Sequence, residues 1–294
     1  MTAPASTHYI APAIFKGQEG TDGGDEVIIT LPGGVQMHFC WCPRPAQPFQ
    51  IGSPAGEADR LWDEKPTWVT LSHGFWLAKH PCSQAQWLAL GMENRSHFTG
   101  DLSRPVENVN DEDMKAFFAA ATIPTDWHIT LPTEAQWEYA CRAGGGIEQP
   151  FGISKGRGLH GQIANFDATV PYGGGFEWLK RGETLPEGSF PPNAWGLHDM
   201  HGQLWEWCAD GKAGYPASSA EKPLKDPIAH LSGSSRVLRG GSWIDHSRDC
   251  RAAFRGSFDS GDRSGFFGFR PALVPGAPDE RSGGSAKERG GRRK

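Results

Sequence analysis

From Gly145 to Leu197 the chain shows almost no regular period, helical or extended. A compact domain seldom carries so long an irregular stretch unless aromatic packing or a bound ion orders it. That constraint argues against a helix bundle or a fold of long strands. Composition agrees: Gly (39) and Pro (23) fill about a fifth of the 294 positions, above ordinary usage, and only 37% are hydrophobic. Twelve Trp and 16 Phe exclude a disordered chain. The expectation is an α+β, loop-rich domain with short strands, a few short helices and a core of large aromatics.

Local signals place the regular elements. Val27 to Leu31 and Val35 to Cys42 read as strands joined by a Pro32-Gly33-Gly34 turn. Trp68 to Lys79 partly alternates and is expected as a further strand. Ser83 with Gln86 forms a capping box that opens a helix through Leu90. Asn110 caps a second helix, Asp111 to Ala121, whose acidic first turn suits the helix dipole. Trp127 to Leu131 reads as a strand. Thr133 with Gln136 opens a third helix, to Arg142, which Gly144 stops. One domain is expected from 26 to 274, after a flexible lead-in (1–25) and before a disordered tail (275–294). That tail is basic, with six Lys or Arg against three acidic residues.

Charge and cysteine usage narrow the partners. A formal net charge of −5 makes the body a poor nucleic-acid binder. No apolar run approaches the length of a membrane span. Met1 to Gln18 lacks a basic region followed by an apolar stretch, so the cytosol is the expected compartment. Six cysteines, at 40, 42, 82, 141, 208 and 250, complete no zinc pattern and read as buried small apolar residues.

The densest candidate site is Asn193 to Cys208. Glu206 lies between Trp205 and Trp207, and a buried carboxylate needs a cation or several donors. Asp199 could reach the same point across a Gly turn. Two carboxylates with loop carbonyls suit calcium, although an Arg or a backbone amide would serve Glu206 as well. His198 and His201 read as ordinary surface or core histidines.

Several motifs in order resemble the formylglycine-generating enzyme family. They are Gln50-Ile51-Gly52-Ser53, Asp63-Glu64-Lys65-Pro66, Arg104-Pro105-Val106-Glu107-Asn108-Val109, Leu131 to Gly144, Gly196 to Gly202 with Trp205-Glu206-Trp207, Arg236 to Trp243, and Gly268-Phe269-Arg270. The resemblance implies a C-type-lectin-like fold. It also implies a structural calcium held by Asp199, Gly202, Leu204 and Glu206, the two middle residues through their carbonyls. A second family calcium site would start at Asn165 and the Phe166 carbonyl, but its later acidic ligand has no counterpart in 173–176.

Family enzymes oxidise a substrate cysteine with copper held by two cysteines five apart, shortly after the Gly-Gly-Ser motif. Counted forward from Ser242, those positions hold Asp245 and Cys250. One thiolate and one carboxylate suit Cu(I) poorly, so copper is not expected. The iron-dependent relatives need a histidine-bearing helical domain for which the chain has no room.

The C-terminal stretch also resembles variable proteins of diversity-generating retroelements. There, adenines in Asn codons are rewritten, and the resulting triplets never encode Lys, Glu, Gln, Met or Trp. Residues 244 to 267 contain none of these five. Arg248, Arg251, Ala252, Ala253, Arg255, Asp262 and Arg263 match the usual frame. Ile244, Asp245, His246, Asp249, Phe254, Gly256, Ser257, Phe258, Ser264, Gly265 and Phe266 stand where such frames carry Asn. The expectation is a non-catalytic protein that binds a protein or other macromolecule through these positions. In it Phe254, Phe258 and Phe266 act as apolar anchors and Asp245, His246 and Asp249 as polar selectors. A divergent oxidase or metal enzyme of the same family, and a scaffold or regulatory module without a small ligand, are the alternatives.

Overall fold

Three reciprocal capping boxes set the helices in the computed structural model, which describes the backbone of residues 7–10 and residues 17–121, 123, 126–156, 158–173, 175–229 and 234–276. Ser83, Asn110 and Thr133 each accept from the amide three residues on, and Gln86, Asp113 and Gln136 each return a bond. They open α1 (Gln84–Ala89), α2 (Asp111–Ala120) and α3 (Glu134–Cys141). Each box satisfies two amides that a helix start leaves unpaired.

The strands are short. They are β1 (Thr7–Ile10), β2 (Glu26–Thr30), β3 (Gln36–Cys42), β4 (Phe49–Ile51), β5 (Thr67–Thr70), β6 (Phe75–Ala78), β7 (Trp127–Thr130), β8 (Gly158–Leu159) and β9 (Tyr172–Gly173). The C-terminal half adds β10 (Trp205–Gly211), β11 (Leu224–Lys225), β12 (Ser235–Arg239), β13 (Gly256–Asp259), β14 (Phe267–Gly268) and β15 (Ala272–Pro275). The largest sheet runs β1-β2-β3-β6-β15-β7, and a second runs β13-β12-β10-β14. Two smaller sheets, β11-β5-β4 and β8-β9, complete the set.

The strand expected over 68–79 is two strands in different sheets. Gly74 sits so close to Trp41 that a Cβ there would meet its ring at 2.3 Å, and the chain turns at this point. The lead-in also differs from expectation. From residue 17 onward it packs, with Gly20 against Trp41 and Gly23 against Trp195. Residues 1–6 and 11–16, and the basic tail from 277, lie outside the described residues.

Aromatics fill the core. Trp41, Trp76, Trp87, Phe117, Trp207 and Phe269 join the largest sheet to α1, α2 and β10. Trp137 and Tyr139 of α3 pack with Phe75, Leu197 and Val237. Phe151, Leu159, Phe166, Tyr172 and Cys250 form a third cluster, and this cluster orders the irregular region after Gly145.

Candidate functional site

Buried arginines hold the segment from 244 to 267 on the core. Arg251 has a fully buried side chain. It donates to both oxygens of Glu64 at 2.7 and 2.8 Å, to Glu57 at 2.6 Å and to the Asp59 carbonyl at 2.9 Å. Arg255 donates to both oxygens of Glu134 at 2.6 and 2.7 Å. Arg239 of β12 donates to Glu138 and to the carbonyls of Ala252 and Phe254, with its guanidinium 5.2 Å from the Trp137 ring centre. Such pairs make weak stability devices as wholes, but removing one partner strands a buried charge. They fix where the backbone between 248 and 255 lies.

Arg270 answers the question posed by Glu206. It donates to Oε1 at 2.8 Å and to Oε2 at 3.0 Å, and Trp137 Nε1 donates to Oε2 at 2.6 Å. The cation beside Glu206 is therefore a guanidinium, and its carboxylate has no free oxygen for calcium. The Gly202 carbonyl is also engaged, accepting from the Leu204 amide at 2.9 Å. Asp199 is different. It is buried, its Oδ2 has no hydrogen-bond partner, and burial pushes its carboxyl up to about 7. One carboxylate oxygen falls short of the two-carboxylate set expected, so the Asp199, Gly202, Leu204 and Glu206 residues do not fit calcium as arranged. At the second expected site, Asn165 Nδ2 donates to the Glu183 carbonyl and to Gln203 Oε1.

Burial separates the segment into two sets. Arg251, Ala252, Ala253 and Arg255 are buried. All eleven positions expected to face a ligand are half-buried or exposed, with Ile244 and Phe258 each 41% exposed. Four of these positions depart from expectation in detail. Phe254 packs on Trp205 with ring centres 5.7 Å apart, and Phe266 packs on Phe267 at 4.8 Å, so both rings close the rim of the core. Phe258 also packs on Phe267, at 4.6 Å, but at 41% exposed it is the most open of the three rings. Asp245 turns inward, where its carboxylate accepts from the Ser242 hydroxyl and its carbonyl from the Asp167 amide. Gly256 is not replaceable, because a Cβ would sit 2.9 Å from the Trp205 ring. Gly265 is open by comparison, its nearest neighbour being Glu107 at 3.5 Å from such a Cβ.

Asp245 stands near enough to Cys250 for its carboxylate to act on the thiol. Burial, and then the Asp245 and Asp249 carboxylates, push the Cys250 thiol well up. Asp249 is itself raised by burial and by Asp245. Soft Cu(I) needs thiolates. A single protonated thiol among carboxylates does not fit copper.

The family described as the sulfatase-modifying factor enzyme 1-like domain matches residues 24–274. The formylglycine-generating enzyme of Streptomyces coelicolor is 35% identical over 184 residues, 60% of this chain and 55% of that protein. That of Thermomonospora curvata is 31% identical over 225 residues, 74% of this chain and 67% of that protein. The chain thus spans 55% and 67% of the lengths of these two curated relatives. Among solved structures, Treponema denticola variable protein 1 aligns with a TM-score of 0.69 at 24% identity, covering 85% of this chain and 99% of that one. At that identity the likeness speaks to the fold.

Proposed function

The chain belongs to the sulfatase-modifying factor enzyme 1-like family, and from that premise we propose that it is a non-catalytic member that binds a macromolecule through residues 244–267. The fold is the expected loop-rich, C-type-lectin-like arrangement of the formylglycine-generating-enzyme type. One observation carries the proposal: Arg251 and Arg255 are locked beneath the segment by buried carboxylates while the eleven positions expected to face a ligand stay half-buried or exposed. A surface on a frame of this kind can change without changing the fold.

In the binding reading, Phe258 and Ile244 supply apolar contact area. His246, Asp249 and Ser264 select polar partners around them. A protein or similar macromolecule suits such a face, and the chain's net charge of −5 argues against nucleic acid. Among the described residues no helix is long and apolar enough to cross a membrane. Six free, buried cysteines support the cytosolic assignment.

The relatives named formylglycine-generating enzyme favour a second reading, a divergent oxidase. Copper would need a second thiolate beside Cys250, and Asp245 stands there instead. The two readings separate in one assay. Cu(I)-treated protein is given a cysteine-containing sulfatase peptide and oxygen. No turnover above a copper-only control is expected. Turnover that disappears in Cys250→Ser would establish the oxidase.

A further inference from the structure

Within the segment, β13 is the outer strand of its sheet and pairs with β12 alone. The Ser260 amide donates to the Ser234 carbonyl at 2.6 Å. Ser235 stands opposite Asp259 and Val237 opposite Ser257, so that bond fixes the phase of the ladder. Hydrogen bonds between two antiparallel strands use every second residue. Gly256 and Phe258 therefore turn their backbone groups towards Leu238 and Arg236 of β12, and Ser257 and Asp259 turn theirs outward. The Asp259 carbonyl is taken by the Asp262 amide at 2.9 Å. The outward amide and carbonyl of Ser257 have no partner among the described residues. Side chains along this edge add chemistry to it. Gly256 is bare above the Trp205 ring, and Phe258, 41% exposed, lies on the same side of the strand. On the other side the exposed Asp259 carboxylate is bonded by Ser234 and the Gly261 amide, with no cation beside it among the described residues.

We infer that the partner of the 244–267 surface adds an antiparallel strand to β13; the inference rests on the binding reading above and specifies how that face is used. An unpaired strand edge is a template for another strand. An extended peptide that joins it gains affinity from main-chain bonds and specificity from alternate side chains. Ser257 exchanges both of its outward hydrogen bonds with one partner residue. The next partner residue falls opposite Gly256, on the Phe258 side of the sheet. A bulky aromatic or β-branched side chain fits there, covering the bare glycine and packing on Phe258. Three positions earlier in the partner strand lies the residue opposite Asp259, where Lys or Arg supplies the missing cation. The occupant is an extended protein segment that carries a cation and, three residues later, a bulky apolar side chain.

The test uses the full chain and a phage-displayed library of random linear peptides, with the enriched sequences synthesised for titration. Enriched peptides should share the cation and the bulky apolar residue at that spacing. Ser257→Pro removes the outward amide and spares the ladder to β12, a place where an edge strand accepts proline. It should leave the circular dichroism spectrum unchanged and weaken the peptides at least tenfold. Ser257→Ala keeps the amide and should weaken them less than threefold, and Asp259→Lys should weaken them too. Hydrogen exchange needs no variant: in the parent protein the Ser257 amide should exchange at least tenfold more slowly once peptide is bound. No enrichment over an unrelated protein, equal affinity for the parent and Ser257→Pro, or unchanged exchange at Ser257 would each overturn strand addition. Peptides that ignore Ser257→Pro but are lost in Ile244→Asp would overturn strand addition and leave the binding face standing. Peptides that ignore both substitutions would remove the face as well.

Discussion

Replacing Arg251 by Ala tests the frame at its most buried point. The substitution removes a side chain with no solvent exposure and leaves Glu57 and Glu64 with side chains 4% and 0% exposed. Glu64 would keep the Ser53 hydroxyl at 2.9 Å, and Glu57 would lose its direct ion pair and keep only the weaker pull of Arg142. Stranding buried charge in this way costs about 3–5 kcal/mol. For a domain of this size that is a fall of about 6–10 °C in melting temperature. The loss should also depend on pH. Burial already raises the Glu57 carboxyl even with Arg251 present. Without the guanidinium the Glu57 carboxyl should be raised further, so the folded variant takes up protons more readily than the unfolded chain. Its stability should therefore fall as pH rises from about 5 to 8, relative to the parent. Urea midpoints at both pH values read this directly, with exposed Arg248→Ala as a control expected within about 0.5 kcal/mol. A loss under about 1 kcal/mol, or one of equal size at both pH values, would refute a structural role for the cluster.

The parent protein should lose stability towards both strongly acid and neutral pH. Burial opposes ionisation of Glu134, but Arg255 and Arg239 outweigh it and hold the carboxyl near 2; the His38 hydrogen bond and then Lys79 hold Glu26 there too. Their contribution is lost as pH falls from about 4.5 towards 2. Burial raises Asp199 and Asp210 to about 7, so stability is also lost as pH rises from about 4 to 7. Asp199→Asn should flatten that upper limb in urea titrations, and an unchanged limb would exclude Asp199 as its source. Chelator should leave the melting temperature where it is, because Arg270 occupies Glu206; a rise of several degrees on adding calcium would show that the ion displaces the guanidinium. Within the segment, Phe258→Ala should cost about 1–2 kcal/mol, since the ring is only partly buried, whereas Gly256→Val should cost more by forcing a side chain into Trp205. Equal denaturant midpoints for these two variants would contradict the burial described here.

Local chemistry was legible in the chain and distant partnership was not. The caps at Ser83, Asn110 and Thr133 involve residues three apart, so they can be read directly from the sequence. The same holds for the stop at Gly144. Arg251 and Glu64 stand 187 residues apart, and nothing between them announces the pair. The motifs that carried the family resemblance contain Glu64, Glu134, Glu138, Arg239 and Arg270, yet their use as buried ion pairs emerges only from packing. Glu206 shows the ambiguity well: its place between two tryptophans required a cation without saying which. Gly256 has the same cause, for its need to be glycine comes from a tryptophan 51 positions earlier, at 205.

The central claim is a rigid frame carrying a replaceable surface. Two displayed libraries test it side by side, one randomised at Ile244, His246, Asp249, Phe258, Ser264 and Gly265, the other at Arg239, Arg251, Arg255 and Arg270. The measurement is the fraction of variants that resist protease as the parent does. Most of the surface library should fold, and almost none of the arginine library should. Equal loss of folding in the two libraries would contradict the account, because the segment would then be core and not a face.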